Sequence, residues 1–513
     1  MRFPSLALSA ALLLPGCGGE ALSLTATATS DVSDDPGFAP SAPDARLLRV
    51  DLRLENRSGR TLPLSASLFR LDPVEGASVT GASISASLER SCVPAGGVLP
   101  PGRDLECGVA FEVGAGFEPA SITFSVDELS ASSPVPPLGG PVPDAGPVDA
   151  GPLSPSNELD ILFLVDDSSS MSEEQQSLAS ALPRLISVLS TGDFDQDGLT
   201  TGPDDFPPVS SVHAGVITTD MGTGGHSIPT CRRPEFGADG VLRTEGRPDP
   251  PGCAEAYPAF LTYAPPGGLT AGEFARDAAC VAQVGTGGCG FEQPLEAVLK
   301  ALSPAAATAW TRDGYAPPSF HLGSLGHGDG ANAGFVREGS ALAVVLLTDE
   351  EDCSAADPKL FDPADPDYGA TDLNLRCFVH GDAALHPVQR FVDGLVQLRR
   401  HPGRLVFVPI VGIPLETAAT AGGTPNWERL ASEDESARHP ALIERIDEAE
   451  PYRLMPSCSL PGRGVAFPPI RISRVAQGLD ALGAQVTVQS ICQEDLTTAT
   501  EELVIQIRRA LGR

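Results

Sequence analysis

Lysine is nearly absent from this chain: Lys300 and Lys359 are the only two in 513 residues. With 34 basic side chains against 67 acidic ones the net charge is -33 and the pI near 4.5. Such a chain has no basic footprint for a phosphate backbone, which excludes nucleic acid as a partner. It repels anionic membranes and polyanions and attracts divalent cations and basic partners. Beyond residue 17 no run approaches the roughly 18 apolar residues needed to span a bilayer. Signatures of catalysis are missing too. There is no Gly-x-Ser-x-Gly elbow, since Leu322-Gly-Ser-Leu-Gly326 fails at its first position. Neither a phosphate-binding Gly-Lys pair nor His-Glu-x-x-His occurs, and the eight histidines are scattered. Nothing here indicates an enzyme. No Cys-x-x-Cys or clustered Cys/His spacing supports zinc.

What the chain does carry is a run of oxygen ligands behind an apolar strand. In Leu159-Asp-Ile-Leu-Phe-Leu-Val-Asp-Asp-Ser-Ser-Ser-Met171, the segment Ile161 to Val165 reads as a short buried strand. Asp166, Ser168 and Ser170 follow at every second position, and a helical pattern runs from Ser172 to Leu189. One carboxylate and two hydroxyls on a strand-to-helix loop suit a hard divalent cation. The same serines could equally cap the helix. A second apolar run, Ser340 to Thr348, ends in Asp349-Glu-Glu-Asp352. Two parallel strands ending side by side would bring Asp349 near Asp166, at the edge where open α/β sheets bind ligands.

These segments resemble the von Willebrand factor type A domain over roughly residues 157–513. Its metal-ion-dependent adhesion site is written Asp-x-Ser-x-Ser, then a distant Thr, then a distant Asp. The resemblance implies Mg²⁺ or another divalent ion on Asp166, Ser168, Ser170 and Asp349, with a partner's acidic side chain completing the shell. It also implies a Thr ligand, for which Thr286 is the candidate as the only Thr in the loop before the helix expected at 292–303. Thr286 could instead be a turn residue. This chain departs from the family pattern at Ser169, usually Gly, and at Glu350, often Gly. Glu350, Glu351, Asp352 and Asp167 crowd further negative charge into the site, which favours the ion and disfavours an anionic partner.

Residues 1–16 read as a signal peptide, with Arg2 before the apolar Leu6 to Leu14. Leu14-Pro-Gly-Cys17 resembles a bacterial lipobox, which implies lipidation of Cys17, export and a cell-envelope location. Gly18 in place of Asp implies the outer membrane, by resemblance to enterobacterial sorting. Without Cys17 ten cysteines remain, an even set for disulfides in an oxidising compartment. Local spacing suggests the pairs Cys92 with Cys107, Cys231 with Cys253, Cys280 with Cys289, Cys353 with Cys377 and Cys458 with Cys492. Spacing does not fix the connectivity.

Residues 17–42 read as a flexible tether, and 43–130 as a small all-β sandwich of short alternating runs, weakly similar to immunoglobulin-like domains. A Pro/Gly-rich linker fills 131–157. From 158 to 513 the pattern becomes α/β. Strands are expected at 160–165, 211–218, 341–347, 404–411 and 485–490, and helices at 172–189, 292–303, 386–400, 469–482 and 495–511. The alternation predicts a doubly wound, mostly parallel sheet of von Willebrand A or Rossmann-like type. The long segments 221–285, 305–338 and 350–384 look too Gly- and Pro-rich to join it and are expected as disulfide-stapled insertions.

A second metal signal lies at Asp193-Phe-Asp-Gln-Asp-Gly-Leu-Thr-Thr-Gly-Pro-Asp204. Asp193, Asp195 and Asp197 stand at positions one, three and five of an EF-like Ca²⁺ loop, and Gly198 allows the turn. Leu199 can give a carbonyl, Thr201 a direct or water-bridged contact, and Asp204 stands in the Glu position, with Asp205 as the alternative. An acidic solvated turn is the competing reading.

Together these readings describe an exported, lipid-anchored module that binds a protein ligand through a divalent ion. The alternatives are a structural component of an envelope complex with a purely stabilising metal, or a metal-assisted hydrolase built on the loop insertions. Cys17→Ser should yield an exported but soluble chain; membrane fractionation that is unchanged in this variant would remove the anchor.

Overall fold

The computed structural model describes residues 22–31, most of 45–134, and 153–513 apart from residue 203, 248–251 and 462–463. The signal peptide and Cys17 lie outside the described residues. The chain divides into two compact units, residues 1–146 and 147–513.

Among the described residues the first unit holds nine strands: β1 (Leu22–Asp31), β2 (Ala45–Asn56), β3 (Leu62–Pro63), β4 (Phe69–Pro73), β5 (Val79–Thr80), β6 (Val98–Leu99), β7 (Asp104–Gly114), β8 (Pro119–Val126) and β9 (Leu129–Pro134). They form antiparallel sheets in the orders β1-β2-β7 and β5-β4-β8-β9, with β3 paired to β6. Alternate residues of β2 are buried, as the period of a strand requires. Leu48, Val50, Leu52 and Leu54 meet Phe69, Phe111 and Phe124 in one core. Two boundaries differ from the sequence reading. Residues 22–31, expected within the tether, form β1, which pairs with β2 along its length. Its Ala and Thr residues give little hydrophobic contrast, so the strand is specified by its partner. Likewise β9 carries the sheet to Pro134, into the expected linker.

The second unit begins with β10 (Glu158–Val165), α1 (Ser172–Thr191) and β11 (Ser211–Thr218). Next come β12 (Leu261–Ala264), β13 (Gly267–Gly268), α2 (Ala271–Ala282), α3 (Pro294–Leu302) and β14 (Ala341–Leu347). Then follow α4 (Arg376–Val379), α5 (Gly381–Ala384), α6 (Val388–Val396), β15 (Leu405–Val411) and α7 (Trp427–Ala431). The last elements are β16 (Cys458–Leu460), β17 (Gly464–Ala466), α8 (Ile470–Ala481), β18 (Gln485–Val486), β19 (Gln489–Ser490) and α9 (Thr497–Ala510). The eight-stranded sheet runs β13-β12-β11-β10-β14-β15-β18, with β19 also on β15. From β11 to the β18/β19 edge it is parallel, whereas β12 and β13 are antiparallel.

Both faces of the sheet are covered. Ile161, Phe163 and Val165 of β10 pack with α1, α2 and α9, while Leu162 and Leu164 face α3, α6 and α8. A strand buried on both sides needs apolar residues at every position, which is why 161–165 does not alternate. The antiparallel edge corrects the expectation for 221–285. Four residues of β12 are too short a run to read between prolines, yet Leu261 and Tyr263 are buried against the core. The Thr270–Glu273 capping box then starts α2.

Disulfides join Cys92–Cys107, Cys353–Cys377 and Cys458–Cys492 as spacing suggests. The other two bonds are Cys231–Cys289 and Cys253–Cys280, correcting the nearest-neighbour pairing. Cys280 lies on α2 and Cys289 in the loop beyond it, so the end of the helix sends the two thiols to different partners. Five disulfides suit a chain folded in an oxidising, extracytoplasmic compartment.

At the amino edge of the sheet Asp160 is fully buried on β10. It accepts from the Arg337 N–H and Nε, both at 2.7 Å, and from Ser340 Oγ at 2.5 Å, with Arg399 Nη2 at 3.6 Å. Buried charge is tolerated there because two guanidinium groups neutralise it. Arg399→Met should lower unfolding free energy by about 3 kcal/mol, since it leaves buried charge undercompensated; urea denaturation measures this.

Candidate metal centre at the sheet edge

At the opposite end of β10 stands a second buried aspartate. Asp166 follows Val165, and its N–H donates to the Leu347 carbonyl at 3.0 Å, so the parallel pairing of β10 with β14 continues into the loop. That register places Thr348 beside Asp166, and Thr348 Oγ1 donates to Asp166 Oδ2 at 2.6 Å. Asp166 Oδ1 accepts the Ser168 N–H at 2.7 Å and the Thr219 hydroxyl at 3.4 Å. Ser168 Oγ and Ser170 Oγ are 3.2 Å apart, and Ser170 hydrogen-bonds the Asp349 carboxylate. The structure thus brings Asp166, Ser168, Ser170 and Asp349 together. Met171, not a serine, stands at the N-cap of α1, and no side chain caps that helix. The three hydroxyl-bearing residues before it are free for another role.

The electrostatics of this cluster are one-sided. Asp166 is fully buried, and no Lys, Arg or His among the described residues pairs with it. Burial pushes its carboxyl upward, against the hydrogen bonds from Thr348 and Ser168. Burial and the Asp166 charge raise Asp349 to about 7. Asp167 is also raised to about 7 by burial, Asp166 and Asp220, against a weaker pull from Arg243. Glu292 and Glu350 are pushed well above the ordinary range by burial and by their acidic neighbours. Asp167 Oδ1 and Asp349 Oδ1 are buried oxygens without a hydrogen-bond donor. Buried carboxylates with an orphaned oxygen each, and with acids as their main charged neighbours, fit a divalent ion, which would supply positive charge. Asp166 and Asp349 would hold it, with Ser168 and Ser170.

Thr286 does not join them. It is exposed, and its loop reaches the site by other residues. Gln175 Nε2 bridges the Asp166 and Gly285 carbonyls at 2.8 and 2.9 Å, and the Gly288 N–H donates to the Asp167 carbonyl at 2.7 Å. A Cβ at Gly288 would lie 2.2 Å from the Asp167 side chain, so the loop closes this tightly only with glycine. Sequence reading overlooked Thr219, Thr348 and Glu292. The first two end β11 and β14, the neighbours of β10, and the rule that located Asp349 would have found them.

The acidic loop after α1 gathers Asp193, Asp195 and Asp197, with one oxygen of each within 4.8 Å of the others. This triad could hold a metal ion. Asp193 accepts the N–H groups of Asp197 and Gly198, and Asp197 accepts that of Leu199. Gly198 at φ 85° makes the turn. Asp204 lies apart, 3.5 Å from Arg508, while Asp205 closes the loop by accepting the Phe194 and Gly202 N–H groups. Leu199 and Thr201 are exposed and do not belong to the triad.

No family model matches the chain, and no curated protein is similar to it. Among solved structures, a putative lipoprotein (YcdA) from Bacillus subtilis is 15% identical over 35% of this chain and 48% of its own, with a TM-score of 0.16. A functionally unknown protein from Listeria monocytogenes is 15% identical over 18% of this chain and 60% of its own, at 0.13. The third, an exo-β-N-acetylglucosaminidase from Vibrio harveyi, is 17% identical over 33% and 29%, at 0.11. The chain spans about half the length of the first of these. Likenesses of this size assign neither fold nor activity.

Because Asp167 and Asp349 keep their protons up to about 7, the native state binds more protons than the unfolded chain between about pH 4 and 7. Their contribution to stability is therefore present in acid and lost as pH rises through 7. In chelator the melting temperature should fall from pH 5 to pH 8, and Asp349→Asn should flatten that fall. Added Mg²⁺ or Ca²⁺ should restore more stability at pH 8 than at pH 5, where protons compete for the ligands. Thermal melts across this range, with and without ion, decide it.

Proposed function

We propose that this chain is an exported, lipid-anchored protein of a bacterial envelope, whose α/β unit captures a protein ligand through a divalent ion. One observation carries the reading: a fully buried Asp166, ringed by hydroxyls and other carboxylates, has no basic partner among the described residues. An ion there would lie at the carboxyl edge of a parallel sheet, on the loops after β10 and β14. The sheet also supports the resemblance to von Willebrand A domains. Numbered along the chain, its main strands run 3-2-1-4-5 outward from the antiparallel edge, a doubly wound plan with its crossover beside Asp166. The ion would present an open coordination position to a partner's acidic side chain. Cys17 would hold the chain to the membrane, on the outer-membrane side by Gly18.

A structural role for the ion is the second reading. Glu292, Glu350 and Asp167 concentrate negative charge beside the ligands, which strengthens the hold on a cation and opposes an anionic partner.

Capture of envelope proteins on immobilised chain, with Mg²⁺ or Ca²⁺ and with chelator, separates the two. The first reading expects capture that chelation and Asp166→Ala both abolish, while circular dichroism stays native. Capture that persists in well-folded Asp166→Ala would put the binding surface elsewhere and leave the ion a stabilising part.

A further inference from the structure

We propose that Glu292 is a ligand of the sheet-edge ion, in the place expected of Thr286, and that the site consequently selects Ca²⁺ over Mg²⁺. This rests on the metal centre described above and adds a third carboxylate to it. Four backbone contacts seat the loop that carries Glu292. Gly285 binds Gln175, the Gly288 N–H donates to Asp167, the Gln293 N–H donates to the Thr219 carbonyl at 3.1 Å, and the Glu292 carbonyl accepts from Cys353 at 2.9 Å. Thr219 is the residue whose hydroxyl reaches Asp166, so the chain at 292–293 passes directly beside the first ligand.

Glu292 is 8% exposed. Its carboxylate accepts from its own N–H, Asp166, Glu350 and Asp349 act on it as like charges, and Glu350 shares a cavity wall with it. The orphaned Oδ1 of Asp349, in a residue 6% exposed, points independently to a missing cation. Disulfides fix the loop on both sides: Cys289 is tied to Cys231, and Cys353 to Cys377. These two bridges share a small core with Phe291 and Phe361, next to the glutamate. Mg²⁺ takes one or two carboxylates and keeps several waters in a strict octahedron. Ca²⁺ accepts six to eight oxygens in flexible geometry, and three carboxylates with serine hydroxyls match that demand.

The test is calorimetric titration of Ca²⁺ and Mg²⁺ into the full chain, with Asp195→Ala and Asp197→Ala present throughout to silence the acidic loop. The parent should bind Ca²⁺ more tightly than Mg²⁺. Glu292→Gln should weaken Ca²⁺ by about tenfold or more, and Glu292→Thr should shift the preference toward Mg²⁺. Asp166→Asn should abolish both. If Asp166→Asn abolishes binding but Glu292→Gln leaves Ca²⁺ unchanged, Glu292 is not a ligand. If neither variant changes binding, the sheet-edge centre itself fails. Melting in chelator guards against misfolding: Glu292→Gln relieves like-charge repulsion and should be at least as stable as the parent without ion. A variant that melts lower both with and without ion would make Glu292 a packing residue and overturn the proposal.

Discussion

Two aspartates buried on the same strand set the terms for the α/β unit. Asp160 and Asp166 stand at opposite ends of β10, and both are fully enclosed. Around Asp160 the protein supplies Arg337 and Arg399, and the network ties β10 to the segment leading into β14. Around Asp166 it supplies one N–H and two hydroxyls, then surrounds it with acids. Burying an ionised carboxylate costs several kcal/mol unless opposite charge comes with it. The fold meets that demand internally at the amino edge and leaves it unmet at the carboxyl edge. On the function proposed above an external cation would meet that demand, since binding to the native state alone at one hundred times Kd would add ~2.7 kcal/mol.

Much of this arrangement is legible in the sequence because it depends on local runs. β14 is apolar throughout, β10 is apolar from Ile161 to Val165 and β11 carries Val216 and Ile217 just before its last residue, and each run stops abruptly at polar residues. Once the strands are located, parallel pairing places Asp166 and Asp349 together without further information. What escaped sequence reading depends on contacts distant in sequence. β12 has four residues and is a strand only because β11 offers its edge. β1 lacks apolar contrast and is held by β2. Cys253 and Cys280 pair because α2, itself unread, places Cys280 against the 244–257 segment rather than beside Cys289. Thr286 is exposed, in a loop that Gly285 and Gly288 hold against Gln175 and the Asp167 carbonyl.

The insertions act as clamps on that geometry. The segment 221–240 is tied to the helical layer by Lys300, whose buried ammonium bonds Asp239 at 2.5 Å and Ser324 at 2.8 Å and lies over Phe236 and Phe320. One of only two lysines is thus spent on fixing loops. Asp352, three residues beyond Asp349, accepts from the Leu295 N–H, Ser354 and Arg471, which joins the starts of α3 and α8 beneath the site. Arginine can bridge several acceptors in this way because its donors form a rigid fork. The loops that bear the ligands are therefore positioned by neutralised acids, whereas the ligands themselves are left without cations.

This division bears on how a partner could engage the ion. Asp166 and Asp349 together would balance a divalent charge, so every further ionised carboxylate leaves the centre negative. Glu292 and Glu350 line a cavity of about 560 Å³ whose other walls carry Glu351, Asp382, Glu435 and Glu444 beside Arg438, Arg453, Arg471 and Arg474. Those arginines are partly committed, Arg438 to Glu435, Arg453 to Asp447 and Glu450, and Arg471 to Asp352. They offset part of the repulsion on that side, and Phe291, Phe467 and Ile470 add apolar surface to the same walls. Six acids against four arginines leave this wall net negative, so on the reading proposed above an acidic group would meet repulsion from this side as well, which weighs toward a stabilising role for the ion.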